Sequence, residues 1–106
     1  MIALPPVGFV ALSGALLGVG VFGILTRRNF VLLLVAIEVA MNAAILNFVY
    51  FAAYAPGSAS GLSGQSIAVV LVGFAATEVA VGLAIVLALY RLKGSINVAE
   101  ATELRL

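Results

Sequence analysis

The chain contains neither cysteine nor histidine among its 106 residues. Without these side chains it lacks the usual protein ligands of zinc, iron–sulfur clusters and haem iron, and it cannot form a disulfide. Charged residues are also scarce, at 8% of the chain against about 25% in soluble domains. The net charge is +1, and no basic run is present that would neutralise the phosphates of a nucleic acid. The sequence therefore predicts no metal site, no redox cofactor and no nucleic-acid partner for this chain.

Apolar side chains, by contrast, make up 65% of the residues. A soluble fold of this length has too little interior to bury so much apolar surface. A helix needs about 20 predominantly apolar residues to cross a bilayer, and three windows meet that length, at residues 4–25, 30–53 and 66–90. We therefore expect an all-α membrane protein with three transmembrane helices, which form a single membrane domain over residues 1–106.

The segments between these windows predict how the helices are connected. Only residues 26–29 separate the first two windows, so those helices should be antiparallel neighbours joined by a tight turn. Residues 54–65 carry a proline, several glycines and serines, and no charge, which is typical of a flexible loop. The first window also holds a GxxxG pattern at Gly14 and Gly18, and such small residues let membrane helices approach closely. We interpret this pattern as a packing surface in a subunit of a larger assembly, with a homodimer through the motif as the alternative.

The lysines and arginines near the helix ends predict the orientation, because short loops rich in these residues remain cytoplasmic. Four basic residues lie on one side of the predicted helices: Arg27, Arg28, Arg91 and Lys93. The N terminus is therefore expected in the periplasm and the C terminus in the cytoplasm, with residues 94–106 as a cytoplasmic tail. We interpret Arg27 and Arg28 as topology anchors, with a part in proton entry or in loop contacts as the alternative. The first window lacks a preceding basic segment and is too long for a signal peptide, so we expect a retained helix.

Two glutamates, Glu38 and Glu78, are the only charged residues between Arg28 and Arg91. A carboxylate in hydrocarbon is costly, and ionisable residues inside membrane segments usually belong to ion or proton pathways. Counted from the ends of their windows, Glu38 lies about 12 Å and Glu78 about 18 Å inside the membrane, a difference in depth of about 6 Å. Neighbouring membrane helices lie about 8 to 10 Å apart. We therefore expect a proton to pass between the two acids through a water molecule or one intervening group.

The neighbours of the two glutamates differ in character. Asn42 follows Glu38 by one helical turn and shares its face, where its amide can hydrogen-bond the carboxyl group in either protonation state. Ala75 and Gly82 lie on the face of Glu78, and small residues there predict that another helix approaches closely. We interpret Glu38 and Glu78 as a proton relay supported by Asn42. The alternative is a pair of protonated glutamates with a purely structural role.

Three stretches of the chain together are similar to a known family. These are GVFGILTRRN at residues 20–29, IEVAMNA at residues 37–43 and AATEVAVGLAI at residues 75–85. The combination resembles the K subunit, also called the 4L-type subunit, of proton-pumping NADH:quinone oxidoreductase, respiratory complex I, and the similarity extends over the whole chain. Two residues depart from the family pattern: Gly73 is unusual, and Thr77 stands where many relatives have alanine, with its hydroxyl expected beside Glu78.

The resemblance implies a three-helix subunit in the membrane arm of a hetero-oligomeric translocase, placed between the J-type subunit and an antiporter-like N-type subunit. It implies that Glu38 and Glu78 belong to the intramembrane proton relay that couples quinone reduction to proton pumping. Arg27 and Arg28 match the arginines of the family's cytoplasmic loop. The resemblance assigns no cofactor to this chain, whereas FMN, iron–sulfur clusters and quinone are expected in the whole complex. The expected location is the plasma (inner) membrane of a bacterial-type cell.

Three other classes of protein share part of this pattern. The homologous C-type subunit of multisubunit sodium/proton antiporters lacks the acid of the third helix, which Glu78 supplies here. Rotor-ring subunits resemble two-helix hairpins with one acid. A structural membrane adaptor would use the acids only to hold neighbouring helices. Within complex I-type enzymes, a ferredoxin-like electron donor in place of NADH remains open from the sequence.

Overall fold

A computed structural model describes residues 5–54 and 61–101 of the chain. Three long helices are followed by one short helix: α1 (Pro6–Thr26), α2 (Phe30–Tyr54), α3 (Gly61–Lys93) and α4 (Val98–Ala101). Each of the three long helices is long and apolar enough to cross a membrane. The predicted fold class, an all-α membrane protein with three transmembrane helices, is therefore confirmed.

The turn between α1 and α2 is tight because Asn29 starts the second helix at once. Its Oδ1 atom accepts a hydrogen bond from the backbone N–H of Val31 at 2.8 Å and a longer one from Leu32 at 3.4 Å. A side-chain acceptor in this position caps a helix N terminus. Arg27, just before it, has the extended backbone that ends α1. The chain thus reverses direction between Thr26 and Phe30, as the short connection predicts.

Helix α3 is longer than the apolar window from which it was predicted. It begins at Gly61 and ends at Lys93, so the expectation that residues 61–65 belong to a loop is wrong. No proline follows Pro56 in the sequence, and the polar residues at 61–65 are compatible with the first turns of a helix. Residues 55–60 of the predicted loop, and 102–106 of the predicted tail, lie outside the described residues.

The chain turns back after α3 at a glycine. Gly94 has a positive φ of 70°, and its N–H donates to the carbonyl of Tyr90 at 2.7 Å, as at many helix C termini. Two further backbone hydrogen bonds then join the following segment to the α1–α2 turn. They run from the Phe30 N–H to the Ile96 carbonyl at 3.0 Å and from the Val98 N–H to the Arg28 carbonyl at 2.7 Å. The first part of the tail therefore docks on the chain's own α1–α2 turn, which the sequence did not predict.

Helix α2 packs on both α1 and α3. The side chains buried in these contacts are mostly small, such as Ala36 and Ala43 of α2 and Ala68 and Ala75 of α3. Many large apolar side chains are exposed instead, for example Phe74 at 65%. Small residues between helices and large ones outside are typical of a membrane helix whose outer surface faces lipid or other proteins.

Glycines set the close approach of α1 to α2. A Cβ atom built on Gly20 would lie 2.8 Å from the Cβ of Ala40 and 2.9 Å from the carbonyl oxygen of Ala36. A Cβ atom on Gly23 would lie 2.7 Å from the Cβ of Ala36. Nothing in the described part of the chain comes within 4 Å of the same position on either glycine of the GxxxG pattern. That pattern therefore does not form the α1–α2 contact, and its side of α1 is open in this chain.

Candidate functional site

Two close contacts fix the register of α2 against α3. A Cβ atom built on Gly82 would lie 2.6 Å from Cδ2 of Leu34, and Gly64 faces the Cβ atom of Ala52 still more closely. Leu34 and Ala52 are separated along α2 by the same number of residues as Gly64 and Gly82 along α3. The two helices therefore run antiparallel in one register over about five helical turns.

This register places Glu38 and Glu78 at the same level along the helices. Glu38 lies four residues after Leu34, and Glu78 lies four residues before Gly82. Because the helices are antiparallel, both steps lead in the same direction along the helix axes. The difference in depth of about 6 Å that was counted from the window ends is therefore wrong. The count failed because the two window ends are not level: in this register Phe30 lies level with Val86, four residues before the window end at Tyr90.

The two carboxyl groups leave the α2–α3 contact line on opposite sides. A step of four residues turns a side chain about 40° past a full turn of a right-handed helix. Viewed along the helix axes, the steps from Leu34 to Glu38 and from Gly82 to Glu78 rotate in the same sense. Because α2 and α3 face each other, equal rotations move the two side chains to opposite sides of the contact line. The surroundings agree, because Glu78 is exposed and lines an open groove, whereas Glu38 is half-buried and does not line it. A proton exchanged between them has to cross the contact line.

The Glu78 groove has a volume of about 470 Å³. One residue of α2 and six residues of α3 line it: Leu34, Phe74, Thr77, Glu78, Val81, Gly82 and Ile85. Thr77 Oγ1 donates a hydrogen bond to the Phe74 carbonyl at 2.7 Å. Thr77 and Glu78 both line the groove, and the proton of the Thr77 hydroxyl is directed to the backbone. A place for that hydroxyl beside the Glu78 carboxyl group stays a prediction. Glu78 is the one charged group in an otherwise mainly apolar groove.

The small residues near Glu78 do bring another helix close. Ala75 is 3% exposed, and Gly82 receives Leu34, so the approaching helix is α2 of the same chain. Asn42 lies one turn after Glu38 on α2, with its side chain exposed. Among the described residues no hydrogen bond involves Asn42 or either carboxyl group, and the supporting role of Asn42 stays a prediction.

Comparison with known proteins shows the family to which the chain belongs. Residues 8–106 match the family model described as NADH-ubiquinone/plastoquinone oxidoreductase chain 4L. The chain belongs to this family. It is 42% identical to NADH-quinone oxidoreductase subunit K of Anaeromyxobacter sp. (strain K), over 91% of this chain and 93% of that one. Subunit K of Bacillus anthracis is 42% identical over 99% of both chains, and subunit K 1 of Syntrophobacter fumaroxidans is 44% identical over 92% of this chain and 93% of its own.

The arginines of this chain 4L family member lie away from its two acids. Arg27 and Arg28 are exposed in the α1–α2 turn, where they line a cavity of about 330 Å³. Arg91 and Lys93 lie in the last turn of α3, which is the same end of the helices because α3 runs antiparallel to α2. The structure thus gathers four basic residues at one end. Within residues 5–54 and 61–101, no group of three or more acidic, histidine or cysteine side chains is placed to hold a metal ion.

Sequence reasoning missed a polar pair inside the helices of this 4L-family chain. Asn47 Oδ1 is buried and has no hydrogen-bond partner among the described residues. Ser13 is 2% exposed and donates to the Val10 carbonyl at 3.0 Å. Ser13 lies seven residues before Gly20, and Asn47 lies seven residues after Ala40. Because Gly20 contacts Ala40 and the helices are antiparallel, Ser13 and Asn47 lie at the same level. A buried acceptor without a donor is costly. The sequence signal is the uncharged polar residues within the apolar windows, which are Ser13 in the first and Asn42 and Asn47 in the second.

Proposed function

We propose that this chain is the K-type membrane-arm subunit of a proton-translocating NADH:quinone oxidoreductase, and that Glu38 and Glu78 exchange protons across the α2–α3 interface. One observation carries the proposal. The two acids occupy the same level of two adjoining helices that are each long and apolar enough to cross a membrane. The membership of the chain 4L family supports a place in the oxidoreductase rather than in an unrelated transporter.

The chemistry of a relay follows from the cost of charge in an apolar surrounding. An ionised carboxylate is unfavourable in hydrocarbon, and a bound proton or a nearby cation removes that cost. Each glutamate can therefore hold a proton and release it when a neighbouring subunit brings a positive charge close. With helix axes about 8 to 10 Å apart, one water molecule or one polar group is enough to bridge the carboxyl groups.

The positions of the two acids suggest different tasks. Glu78 lines a groove that opens at the surface of the chain, which suits proton exchange with a neighbouring subunit. Glu38 is half-buried, which suits transfer inside the chain, with Asn42 supporting its carboxyl group. In this proposal α2 and α3 form one segment of a longer proton path.

The same proposal predicts the orientation of the chain in the membrane and its neighbours in the complex. The four basic residues at one end of the helices favour a cytoplasmic C terminus, a cytoplasmic loop at Arg27 and Arg28, and a periplasmic N terminus. The exposed apolar faces suit contact with J-type and N-type subunits and with lipid of a bacterial-type inner membrane. FMN, the iron–sulfur clusters and the quinone belong to the rest of the complex. Within this chain the acids handle protons only, and electrons travel elsewhere.

Glutamine variants test the relay. Loss of a positioned proton carrier slows the step it serves by about 100-fold or more. For Glu38→Gln and for Glu78→Gln we therefore expect proton pumping to fall to about a tenth of wild type or lower. The measurement is the rate of proton pumping by the purified complex in liposomes, with the rate of quinone reduction recorded beside it and assembly checked by subunit content. Glu100→Gln, which removes an exposed acid from α4, is the matched control and should pump normally. Full pumping by both relay variants in assembled complex would rule the proposal out.

A further inference from the structure

Leu34 is the one described residue of α2 that lines the Glu78 groove. Its side chain is half-buried and rests against Gly82, where a Cβ atom would lie 2.6 Å from Cδ2 and 3.1 Å from Cδ1 of the leucine. Leu34 also precedes Glu38 by one turn on the same side of α2. The Leu34 side chain thus contacts α3, which carries Glu78, and also lies next to Glu38 on α2.

The position of Leu34 decides what lies between the two carboxyl groups. Glu38 leaves the contact line on one side and Glu78 on the other, while Leu34 stands on the line itself. The interface on the other side of the acids, further from the α1–α2 turn, is closed at Ala75, which is 3% exposed. Apolar atoms therefore bound the crossing between the acids on both sides.

We infer that Leu34, seated on Gly82, is a positioning residue that closes the α2–α3 interface beside the two acids and keeps water from linking Glu38 permanently to the Glu78 groove. The inference rests on the proposed relay. A permanent chain of water would let the two carboxyl groups exchange protons at every stage of turnover, and a pump requires the transfer at one stage only. Gly82 leaves room for the leucine, so the two residues act as one unit.

Leu34→Ala tests the closure. The truncation removes an apolar side chain opposite a glycine, so neither helix fills the space, and the carboxyl groups nearby give water the polar partners that it needs. We expect a hydrophilic carbodiimide to modify Glu38 severalfold faster in the purified intact complex, measured by mass spectrometry of its peptides. The number of protons pumped for each electron falls in the same variant, while quinone reduction continues, because the defect is leakage between the acids.

Two control variants separate closure from general damage to α2. Leu34→Met keeps an apolar side chain of similar volume and should retain the wild-type rate of Glu38 modification. Leu32→Ala makes the same truncation two residues away, at a side chain that is 45% exposed and does not line the Glu78 groove. It should also leave Glu38 as slow to react as in wild type.

A substitution on α3 gives a second test of the contact between Leu34 and Gly82. In Gly82→Ala the new Cβ meets the flexible end of Leu34, so the leucine leaves its seat and the proton-to-electron ratio falls. Gly73→Ala on the same helix is the matched control, because no described atom lies within 4 Å of that Cβ. Combining Gly82→Ala with Leu34→Ala refills part of the vacated space. The double variant should therefore modify Glu38 more slowly than Leu34→Ala alone.

The outcomes are distinct from those of the relay itself. Faster modification of Glu38 in Leu34→Ala, normal rates in both controls and partial reversal in the double variant establish the closure. An unchanged rate in Leu34→Ala, or an equal rise in Leu32→Ala, overturns it. If the glutamine variants pump normally while Leu34→Ala still exposes Glu38, the relay fails and the closure of the interface stands.

Discussion

Replacement of Gly20 by alanine is expected to destabilise the contact between α1 and α2 by about 1 to 3 kcal/mol, the usual cost of overpacking a well-packed interface. The added Cβ would lie 2.8 Å from both the Cβ and the backbone nitrogen of Ala40 and 2.9 Å from the carbonyl oxygen of Ala36. None of these atoms can rotate away, so the whole of α1 has to move. The measurement is the thermal unfolding midpoint of the purified chain in mild detergent, followed by the amount of the chain that enters the complex.

The controls for Gly20→Ala use the other glycines of α1. Gly18→Ala should unfold like wild type in the isolated chain, because nothing described lies within 4 Å of its Cβ. Gly23→Ala meets chiefly the Cβ of Ala36, at 2.7 Å, and adding Ala36→Gly should restore its stability. Ala40→Gly should not restore Gly20→Ala, because two of the three close atoms belong to the backbone. Equal midpoints for Gly18→Ala and Gly20→Ala would contradict the packing described for α1.

The double variant Glu38→Gln, Glu78→Gln is expected to pump no worse than the poorer of the two single variants. Carriers that act in series on one path share one rate, so removal of the second adds little once the first is gone. The register supports this expectation, since it places the acids level with each other on adjoining helices. The rate of proton pumping in liposomes gives the comparison, measured for wild type, both single variants and the double variant.

Independent roles for the two acids give a different result in the same comparison. If each glutamate served its own path, the single variants would retain part of the pumping and the double variant would lose both parts. A loss of pumping rate in the double variant equal to the sum of the two single losses would therefore argue against one relay through Glu38 and Glu78. Normal assembly of all four complexes is the condition under which the rates are compared.

Much of the fold follows from composition alone. The apolar windows are long enough to cross a bilayer, and the sparse charges leave few alternatives, so three helices and their order are predictable. The two glutamates are recognisable for the same reason, because a charge is rare in such windows. Asn29 is a further residue of a type that favours helix N termini, and it caps α2.

The register of the helices is not predictable from the window ends. Depth counted from the ends misplaced Glu78 relative to Glu38, because the two window ends are not level: Phe30 lies opposite Val86, four residues before Tyr90. The sequence also does not show which glycines of α1 contact α2. Gly18 and Gly20 lie two residues apart and therefore face different sides of α1, and only the structure shows that Gly20 makes the contact. Such choices depend on pairs of residues from different helices, and a pattern within one helix does not contain them.

Infrared difference spectroscopy of the purified complex during quinone reduction tests most directly whether these two carboxyl groups gain and lose protons. The wild-type spectrum should contain carboxyl C=O bands that shift in heavy water, and Glu38→Gln and Glu78→Gln should each remove a band. Identical carboxyl bands in wild type and both variants would contradict the proton relay.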